Sequence, residues 1–126
     1  MAITSTAMTT TTGPIPNGAI PWAYNAYTTQ AVLCEEVVPA PGTDKALYVT
    51  LLTIDHSATS VPASVGSGES ANNVETVIWG PIPFNLATQK PITFDHRDMP
   101  VKLADNKSLT VDVTGNVNIY VEGYTI

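Results

Sequence analysis

The sequence predicts an all-β protein, an antiparallel β-sandwich or jelly-roll-like domain preceded by an extended N-terminal arm. Only 13% of its 126 residues are charged, about half the usual share, and Thr, Ser and Asn are abundant, as on β-sheet surfaces. Short apolar segments recur between polar turns, which is typical of a protein built from short strands. Residues 1–30 contain no charged side chain, so we predict an arm over 1–30 and a β-sandwich body over 31–126.

The arm is predicted from its prolines. Pro14, Pro16 and Pro21 lie in the segment TTTTGPIPNGAIPW, residues 9–22. Each proline removes a backbone donor and biases the preceding residue toward extended geometry, which excludes a helix and disfavours a central strand. Because the arm also carries apolar and aromatic side chains, we expect it to dock onto a partner. The predicted partner-binding residues are Ile15, Pro16, Ile20, Trp22, Tyr24 and Tyr27.

Two apolar segments open the body. AVLCEEVV at 31–38 and ALYVTLLTI at 46–54 each predict a strand. A buried helix is the alternative for the second segment, but its β-branched residues favour a strand. Apolar residues alternate to both sides of this strand, so we expect both of its faces to be covered. The predicted faces are Leu47, Val49 and Leu51 on one side and Tyr48, Leu52 and Ile54 on the other.

The middle of the chain predicts one long loop and three further strands. SATSVPASVGSGESANN, residues 57–73, is polar and rich in Gly and Ser, which is typical of a loop. VETVIW at 74–79 predicts a strand that ends at Gly-Pro-Ile-Pro, residues 80–83, a repeat of the tetrapeptide in the arm. PITF at 91–94 and VKL at 101–103 predict two shorter strands.

The C-terminal segment KSLTVDVTGNVNIYVEGY predicts a β-hairpin. Apolar residues alternate on both sides of Thr114-Gly115-Asn116. A two-residue turn would mix the two faces, whereas a three-residue loop places every apolar side chain on one side, with Asn116 suited to the left-handed position. The predicted cross-strand pairs are Val113 with Val117, Val111 with Ile119, and Leu109 with Val121.

Charge and cysteine content exclude several classes of function. The net charge is −6, and the five Lys and Arg are dispersed, so we expect neither nucleic acid nor an anionic membrane surface as a partner. No apolar segment approaches the length of a membrane span, and the N-terminus has no pattern of a secretory signal. Cys34 is the single cysteine and lies among Val and Leu, which favours a buried apolar role over a reactive thiol.

The two histidines lie in similar tripeptides, Ile54-Asp55-His56 and Phe94-Asp95-His96. Neighbouring residues of a strand point to opposite faces, so neither Asp can orient its own His as in a Ser-His-Asp triad. A metal site would require both histidines to converge with Asp55, Asp95 and Asp98, although no metal-ligand spacing is present. We therefore expect no enzyme, no catalytic residue, no metal and no cofactor.

Two further patterns have a structural interpretation. Asp95-His96-Arg97-Asp98 is typical of an exposed turn with local ion pairs. Trp22, Trp79 and the tyrosines could stack on sugar rings, but Trp79 precedes Gly-Pro at the end of a strand, which favours a core or interface position.

A small acidic β-domain with a long uncharged arm and a closing SLTVDVTGNVNIYVEGY segment resembles the decoration (cement) proteins of tailed-bacteriophage capsids. The resemblance implies a non-enzymatic protein that binds the major capsid protein on the outer surface of the assembled shell and stabilises contacts between capsid subunits. It implies location in the virion after assembly in the host cytoplasm. The body of about 95 residues has a modest core, so we expect a homo-oligomer, with a trimer favoured over a dimer.

The alternative function is a phage tail or fibre-tip module that binds a host receptor, in particular a glycan. Its fold, oligomeric state and site of assembly would be the same. The two functions differ in where the aromatic residues lie. Trp22 and Tyr24 buried against shell protein would favour decoration, and Trp79 in an open cleft would favour glycan binding.

Overall fold

The computed structural model describes residues 3–8, 15–29, 32–56, 63–68, 76–82, 91–113 and 116–126. These residues contain no helix, and the all-β prediction is confirmed for them. The strands are β1 (Thr4–Met8), β2 (Ile20–Thr28), β3 (Val32–Val38), β4 (Leu47–His56), β5 (Ala63–Gly68), β6 (Thr76–Ile82), β7 (Ile92–Asp95), β8 (Val101–Lys102), β9 (Ser108–Val113) and β10 (Val117–Thr125).

The strands form two antiparallel sheets in a sandwich-like arrangement. Sheet A has the strand order β1-β2-β10-β4-β7, and the short β8 also pairs with β4. Sheet B has the order β3-β9-β5-β6. Their apolar faces share one core, because inward-facing side chains of both sheets belong to a single buried cluster. The fully buried members include Leu47, Leu52, Ile54 and Ile119 of sheet A and Val65, Leu109, Val111 and Val113 of sheet B.

Five predicted strands are confirmed. The segments at 31–38, 46–54, 74–79, 91–94 and 101–103 correspond to β3, β4, β6, β7 and β8. Cys34 lies in β3, but its side chain is outside the described part of the chain, so its burial stays a prediction.

The predicted pairing of the two C-terminal strands in a hairpin is wrong. β9 pairs with β3 and β5 in sheet B, whereas β10 pairs with β2 and β4 in sheet A. The predicted faces are nevertheless correct, because the alternating apolar residues of both strands are at most 3% exposed. The two strands meet face to face across the core instead of edge to edge. Alternation identifies the buried face of a strand, but it does not identify the neighbour that accepts its hydrogen bonds.

The predicted faces of β4 are also wrong, because the strand contains a bulge. Glu122 of β10 pairs with Leu51 and Gly123 pairs with Val49, which leaves Thr50 as the extra residue. An extra residue reverses the alternation of all residues beyond it. Leu52 and Ile54 therefore lie in the core with Leu47 and Val49, all at most 1% exposed, while Tyr48 and Leu51 are half-buried on the other side.

The predicted loop over 57–73 is wrong for residues 63–68. These form β5, an inner strand of sheet B between β9 and β6, and its small residues Ser67, Gly66 and Gly68 are buried. The rest of that segment is outside the described residues. β6 continues to Ile82 through the second Gly-Pro, where Gly80 has a φ of 122°. β6 is an edge strand, so only one of its two sides is paired with a neighbouring strand. Pro81, which has no backbone N–H, is tolerated in such a strand.

The prediction of a separate arm over 1–30 is corrected for Ile20–Thr28. This segment is β2, which pairs with β1 on one side and along its whole length with β10 on the other. Pro21 is its second residue, so the proline lies at the beginning of the strand, where its missing donor is tolerated. The side chains of Ala23, Ala26 and Thr28 are buried. This part of the N-terminal segment therefore belongs to the body.

Side-chain hydrogen bonds connect the two sheets along both of their edges. At one edge, Ser5 Oγ of β1 donates to the Val37 carbonyl of β3 at 2.6 Å, and the Ile3 backbone N–H donates to Glu35 Oε1 at 3.2 Å. At the other edge, Trp79 Nε1 of β6 donates to His96 Nε2, which follows β7, at 3.2 Å. The sandwich is thus held laterally as well as through its core.

We predict that Gly123→Ala destabilises the protein by about 3 kcal/mol, the upper part of the range for overpacking. A Cβ at Gly123 would overlap the Tyr48 carbonyl oxygen and would lie 2.7 Å from the Trp22 ring. The Tyr48 oxygen is backbone within the bulged pairing, so it cannot move aside cheaply. The measurement is the free energy of unfolding in urea.

Asn118→Ala is the matched control, because Asn118 is exposed on the same strand and should change the free energy of unfolding by less than about 0.5 kcal/mol. Equal urea midpoints for the two variants would contradict the close approach at Gly123.

Candidate functional site

The candidate binding surface is the outer face of sheet A, which points away from the core. The register places Thr4, Thr6 and Met8 of β1 beside Tyr27, Asn25 and Ala23 of β2 on this face. We call these six residues the uncharged face, since none of them is Asp, Glu, Lys, Arg or His. Met8 and Tyr27 are 47% and 52% exposed, the two threonines are also exposed, Asn25 is half-buried, and Ala23 is buried beneath the surface of this face.

The structure divides the predicted partner-binding residues into two groups. Trp22 and Tyr24 lie on the inner side of β2, are half-buried and pack against the core. Trp22 Nε1 also donates to Thr125 Oγ1 at 3.1 Å, so this indole is held by the protein's own body.

The other predicted residues are directed toward solvent to different degrees. Ile20 is 61% exposed at the start of β2, and Tyr27 is 52% exposed near its end. Pro16 is exposed and Ile15 is half-buried in the turn before β2, where the Ala19 N–H donates to the Pro16 carbonyl at 3.1 Å. Their role in binding a partner stays a prediction.

Tyrosines continue the outer face across β10 and β4. Tyr124 stacks on Tyr48 with ring centroids 5.0 Å apart, and Tyr120 donates its hydroxyl proton to Glu122 Oε2 at 2.7 Å. Burial, and then the hydrogen bond and charge of Glu122, raise the pKa of Tyr120 to about 12. Burial, and then the neighbouring Tyr48, also raise the pKa of Tyr124. Both rings therefore remain neutral throughout the physiological range.

A depression of about 380 Å³ lies at one end of this face, where β2 and β4 end and β10 begins. It is open to solvent. Its walls come from adjacent strands and combine one exposed aromatic ring with amide, hydroxyl and carboxylate groups. The lining residues are Tyr27, Thr28, Thr29, Asp55, Asn116, Val117 and Asn118. Of these, the sequence pattern indicates only Tyr27 and Asp55 as candidates for a site and Asn116 and Val117 as hairpin residues, and it does not place them together.

The hydrogen bond between Trp79 and His96 connects the two sheets. Trp79 is only 4% exposed, which confirms the expected core position and leaves it no open cleft. As the acceptor of the indole proton, His96 Nε2 must be unprotonated, so that the imidazole carries its proton on Nδ1. The ring of Trp79 also lies 6.5 Å from that of Phe94.

The predicted exposed turn at Asp95-His96-Arg97-Asp98 is confirmed. Asp95 Oδ1 accepts from the Arg97 backbone N–H at 3.0 Å and from Arg97 Nε at 3.2 Å, and both side chains are more than half exposed. The Arg97 backbone N–H, together with the Arg97 charge, lowers the pKa of Asp95 from its ordinary value. This geometry is that of a solvated turn.

The possible metal site does not assemble within the described side chains. No group of three or more His, Cys, Asp and Glu residues close enough to hold a metal ion occurs among them. The side chain of His56 is outside the described part of the chain.

Among the residues that the structure describes, no helix is long and apolar enough to cross a lipid bilayer.

Comparison with protein-family models, with characterised proteins and with solved structures gave no match for this chain. The functional proposals therefore rest on the residues and on the geometry of the described surfaces.

We predict that Tyr120 is still protonated at about pH 11, whereas a tyrosine with an ordinary pKa of 10.0 has largely ionised there. Because the folded state raises this pKa, the contribution to stability is complete below pH 10 and is lost as the pH rises toward 12. The measurement is a pH titration of the tyrosine ring-carbon NMR signals, with Tyr120→Phe to assign the signal. Glu122→Gln should lower this pKa, and a wild-type Tyr120 that titrates near pH 10 would contradict the contact.

We predict a coupling of about 0.5–1.5 kcal/mol between Trp79 and His96 in a double-mutant cycle. Trp79→Phe removes the indole donor and His96→Ala removes the acceptor, so the double variant should lose less than the sum of the single losses. The free energy of unfolding is measured for all four proteins at the same pH. Additive losses would show that the hydrogen bond between the sheets contributes nothing.

Proposed function

We propose that this chain is a non-enzymatic capsid decoration (cement) protein, which binds the outer surface of an assembled tailed-phage shell and stabilises contacts between its subunits. The observation that carries the proposal is the distribution of exposed apolar side chains. Of the six large ones in the described residues, Met8, Ile20 and Tyr27 lie on β1 and β2. They belong to the segment of the chain that contains no charge.

The proposed fold of such a protein is a jelly roll, and the strand order supports this. Four strands of sheet A, in the order β2-β10-β4-β7, face the four strands of sheet B, in the order β3-β9-β5-β6. Among these eight strands, every chain-successive pair except β5 and β6 crosses between the sheets, as expected when two Greek keys form the two sheets of a sandwich. β1 adds one edge strand to sheet A, and β8 adds a short pairing to β4. A fold alone assigns no function, so the surface carries the argument.

The uncharged face has the composition of a contact surface between proteins. Burying a charged side chain costs free energy unless it finds a partner, so the centres of interfaces are depleted in charge and enriched in Met and Tyr. The uncharged face contains Met8 and Tyr27 among threonines, an asparagine and an alanine, and Ile20 lies at the end of the same hairpin. This hairpin could lie against the major capsid protein without leaving an unpaired charge.

The remaining surface would prevent non-specific association. The net charge of −6 comes entirely from residues beyond the first thirty. This net negative charge opposes non-specific association and keeps the protein off nucleic acid. The hairpin is then the part of the described surface best suited to approach a shell.

A trimer would make this weak contact effective. One small face binds weakly, but linked copies bind with effective concentrations in the millimolar range. Three uncharged faces on one oligomer would give firm attachment to a shell that repeats the same subunit. We propose a homo-oligomer for this reason, with a trimer favoured over a dimer, and location on the capsid surface.

The alternative, a tail or fibre-tip module that binds a receptor glycan, was expected to place Trp79 in an open cleft. Trp79 is buried between the edges of the two sheets. This residue therefore gives the alternative no support.

The test is co-sedimentation of the purified protein with empty capsids built from the major capsid protein of the same genome. We expect wild-type protein to co-sediment, and a variant with Met8→Ser and Ile20→Ser to bind at least about tenfold more weakly, since avidity multiplies each loss. Both side chains are exposed, so the variant should remain folded.

The matched control replaces two exposed apolar residues elsewhere, Val77→Ser and Met99→Ser, which are 46% and 79% exposed. Binding of this control should equal that of wild type. If wild-type protein fails to co-sediment, or if the two double variants lose binding equally, the proposed function is wrong.

A further inference from the structure

We propose that the depression at the end of sheet A is a binding site for a neutral saccharide. It is a second function beyond shell binding, and it shares Tyr27 with the uncharged face but otherwise uses a different part of the outer face. The proposal rests on the way in which three adjacent strands bring one aromatic ring and several hydrogen-bonding groups around an open cavity.

The register of the sheet builds the site. Asn118 of β10 pairs with Tyr27 of β2 on one side and with Asp55 of β4 on the other. Directly opposed residues of neighbouring strands have side chains on the same face of a sheet, about 5 Å apart. All three are exposed, so they form a row across the sheet at the rim of the depression. Strand pairing fixes their spacing, and the site needs no rearrangement of this row.

The chemistry of the lining matches a sugar ring. Tyr27 is 52% exposed and offers one face of an apolar ring with a polar tip, on which the C–H side of a pyranose can stack. The amides of Asn116 and Asn118 each offer donors and an acceptor, and Asp55 offers acceptors, which together suit vicinal hydroxyls. The hydroxyl of Thr29 can donate and accept at the same rim. A few polar groups beside an apolar surface are the usual means of orienting a small ligand.

Electrostatics select a neutral ligand. Among the described lining residues, Asp55 is the one carboxylic acid and none is Lys, Arg or His, and the protein carries a net charge of −6. A sialic acid or a phosphate would meet a carboxylate there and find no cationic side chain among the lining residues that the structure describes. The carboxylate does not repel a neutral sugar, because sugar hydroxyls can donate hydrogen bonds to it.

The size and openness of the depression set the expected affinity. Its volume of about 380 Å³ lies at the low end of the range for small-molecule sites, about 300–1,000 Å³, which suits one or two sugar units. An open site leaves much of the ligand in water. We therefore expect a dissociation constant of about 1 mM for a short saccharide.

The test is a titration of the ¹⁵N-labelled full chain, followed by amide NMR. The neutral probes are methyl β-D-galactopyranoside, maltotriose and N,N′-diacetylchitobiose, each at up to about 10 mM, ten times the expected dissociation constant. The anionic comparison is 3′-sialyllactose. We expect at least one neutral probe to shift the amides of residues 27–29, 55 and 116–118 in a saturable way, and sialyllactose to bind at least about tenfold more weakly than that probe.

Variants locate the contact and separate it from stability. Tyr27→Ala should weaken binding about tenfold, and Tyr27→Phe, which keeps the ring, should stay within about twofold. Asn118→Ala should also weaken binding. Asn25→Ala is its matched control, since Asn25 lies on the same outer face but outside the depression. Urea unfolding of each variant shows whether it retains its fold.

The proposal is wrong if no neutral probe shifts these amides at about 10 mM, if the shifts lie elsewhere, or if sialyllactose binds as well as the neutral probes. It is equally wrong if Asn25→Ala weakens binding as much as Asn118→Ala. The shell-binding test changes Met8 and Ile20, which do not line the depression, so either proposal can fail without the other.

Discussion

The central position of β10 in sheet A is the constraint on which the rest of the structure depends. β10 pairs along its whole length with β2 on one side and with β4 on the other, so it joins the N-terminal segment to the most apolar strand of the chain. Its inner residues Val117, Ile119 and Val121 are at most 3% exposed and meet sheet B across the core. Gly123 allows Trp22 and the Tyr48 carbonyl to approach the strand from both sides. Replacement of any inner residue of β10 would therefore weaken both the core and the attachment of the N-terminal hairpin.

The same pairing positions both candidate surfaces. The outer side of β2, next to β10, forms the uncharged face together with β1. The beginning of β10 lines the depression together with the ends of β2 and β4. The hydrogen bonds that connect the edges of the two sheets, at Ser5 and at Trp79, limit how far sheet A can slide over sheet B. A surface held in this way presents its side chains with little loss of conformational entropy on binding, which favours affinity from a small contact.

The all-β class and most strands could be predicted from the sequence. The predictions failed for features that depend on pairing between segments far apart in the chain. Alternation identified the buried faces of β9 and β10 correctly, but it could not show that the strands belong to different sheets, because both arrangements bury the same side chains. The bulge at Thr50 was equally invisible, since it is defined only by the partner residues of β10. β5 consists of Ser and Gly around Ala63 and Val65, a composition rich in loop-forming residues, and it is a strand because β9 and β6 pair with it on its two sides. The depression depends on the adjacency of β2, β10 and β4, which no local pattern encodes, so Tyr27 was found without Asn118.

The side chains of β2 alternate between the core and the outer face of sheet A. One strand of the uncharged N-terminal segment therefore both packs on the core and contributes to the candidate binding surface. On the inner side of β2, Trp22 and Tyr24 pack on the core, and Ala26 is buried within it, so these residues hold the segment to its own body. On the outer side, Tyr27 remains exposed beside β1 with Met8. An extended arm would lose conformational freedom when it docks, whereas a strand that is already paired has lost it during folding. A charged residue on either side would conflict with burial in the core or with burial in the proposed contact, which gives a physical reason for the absence of charge from β2.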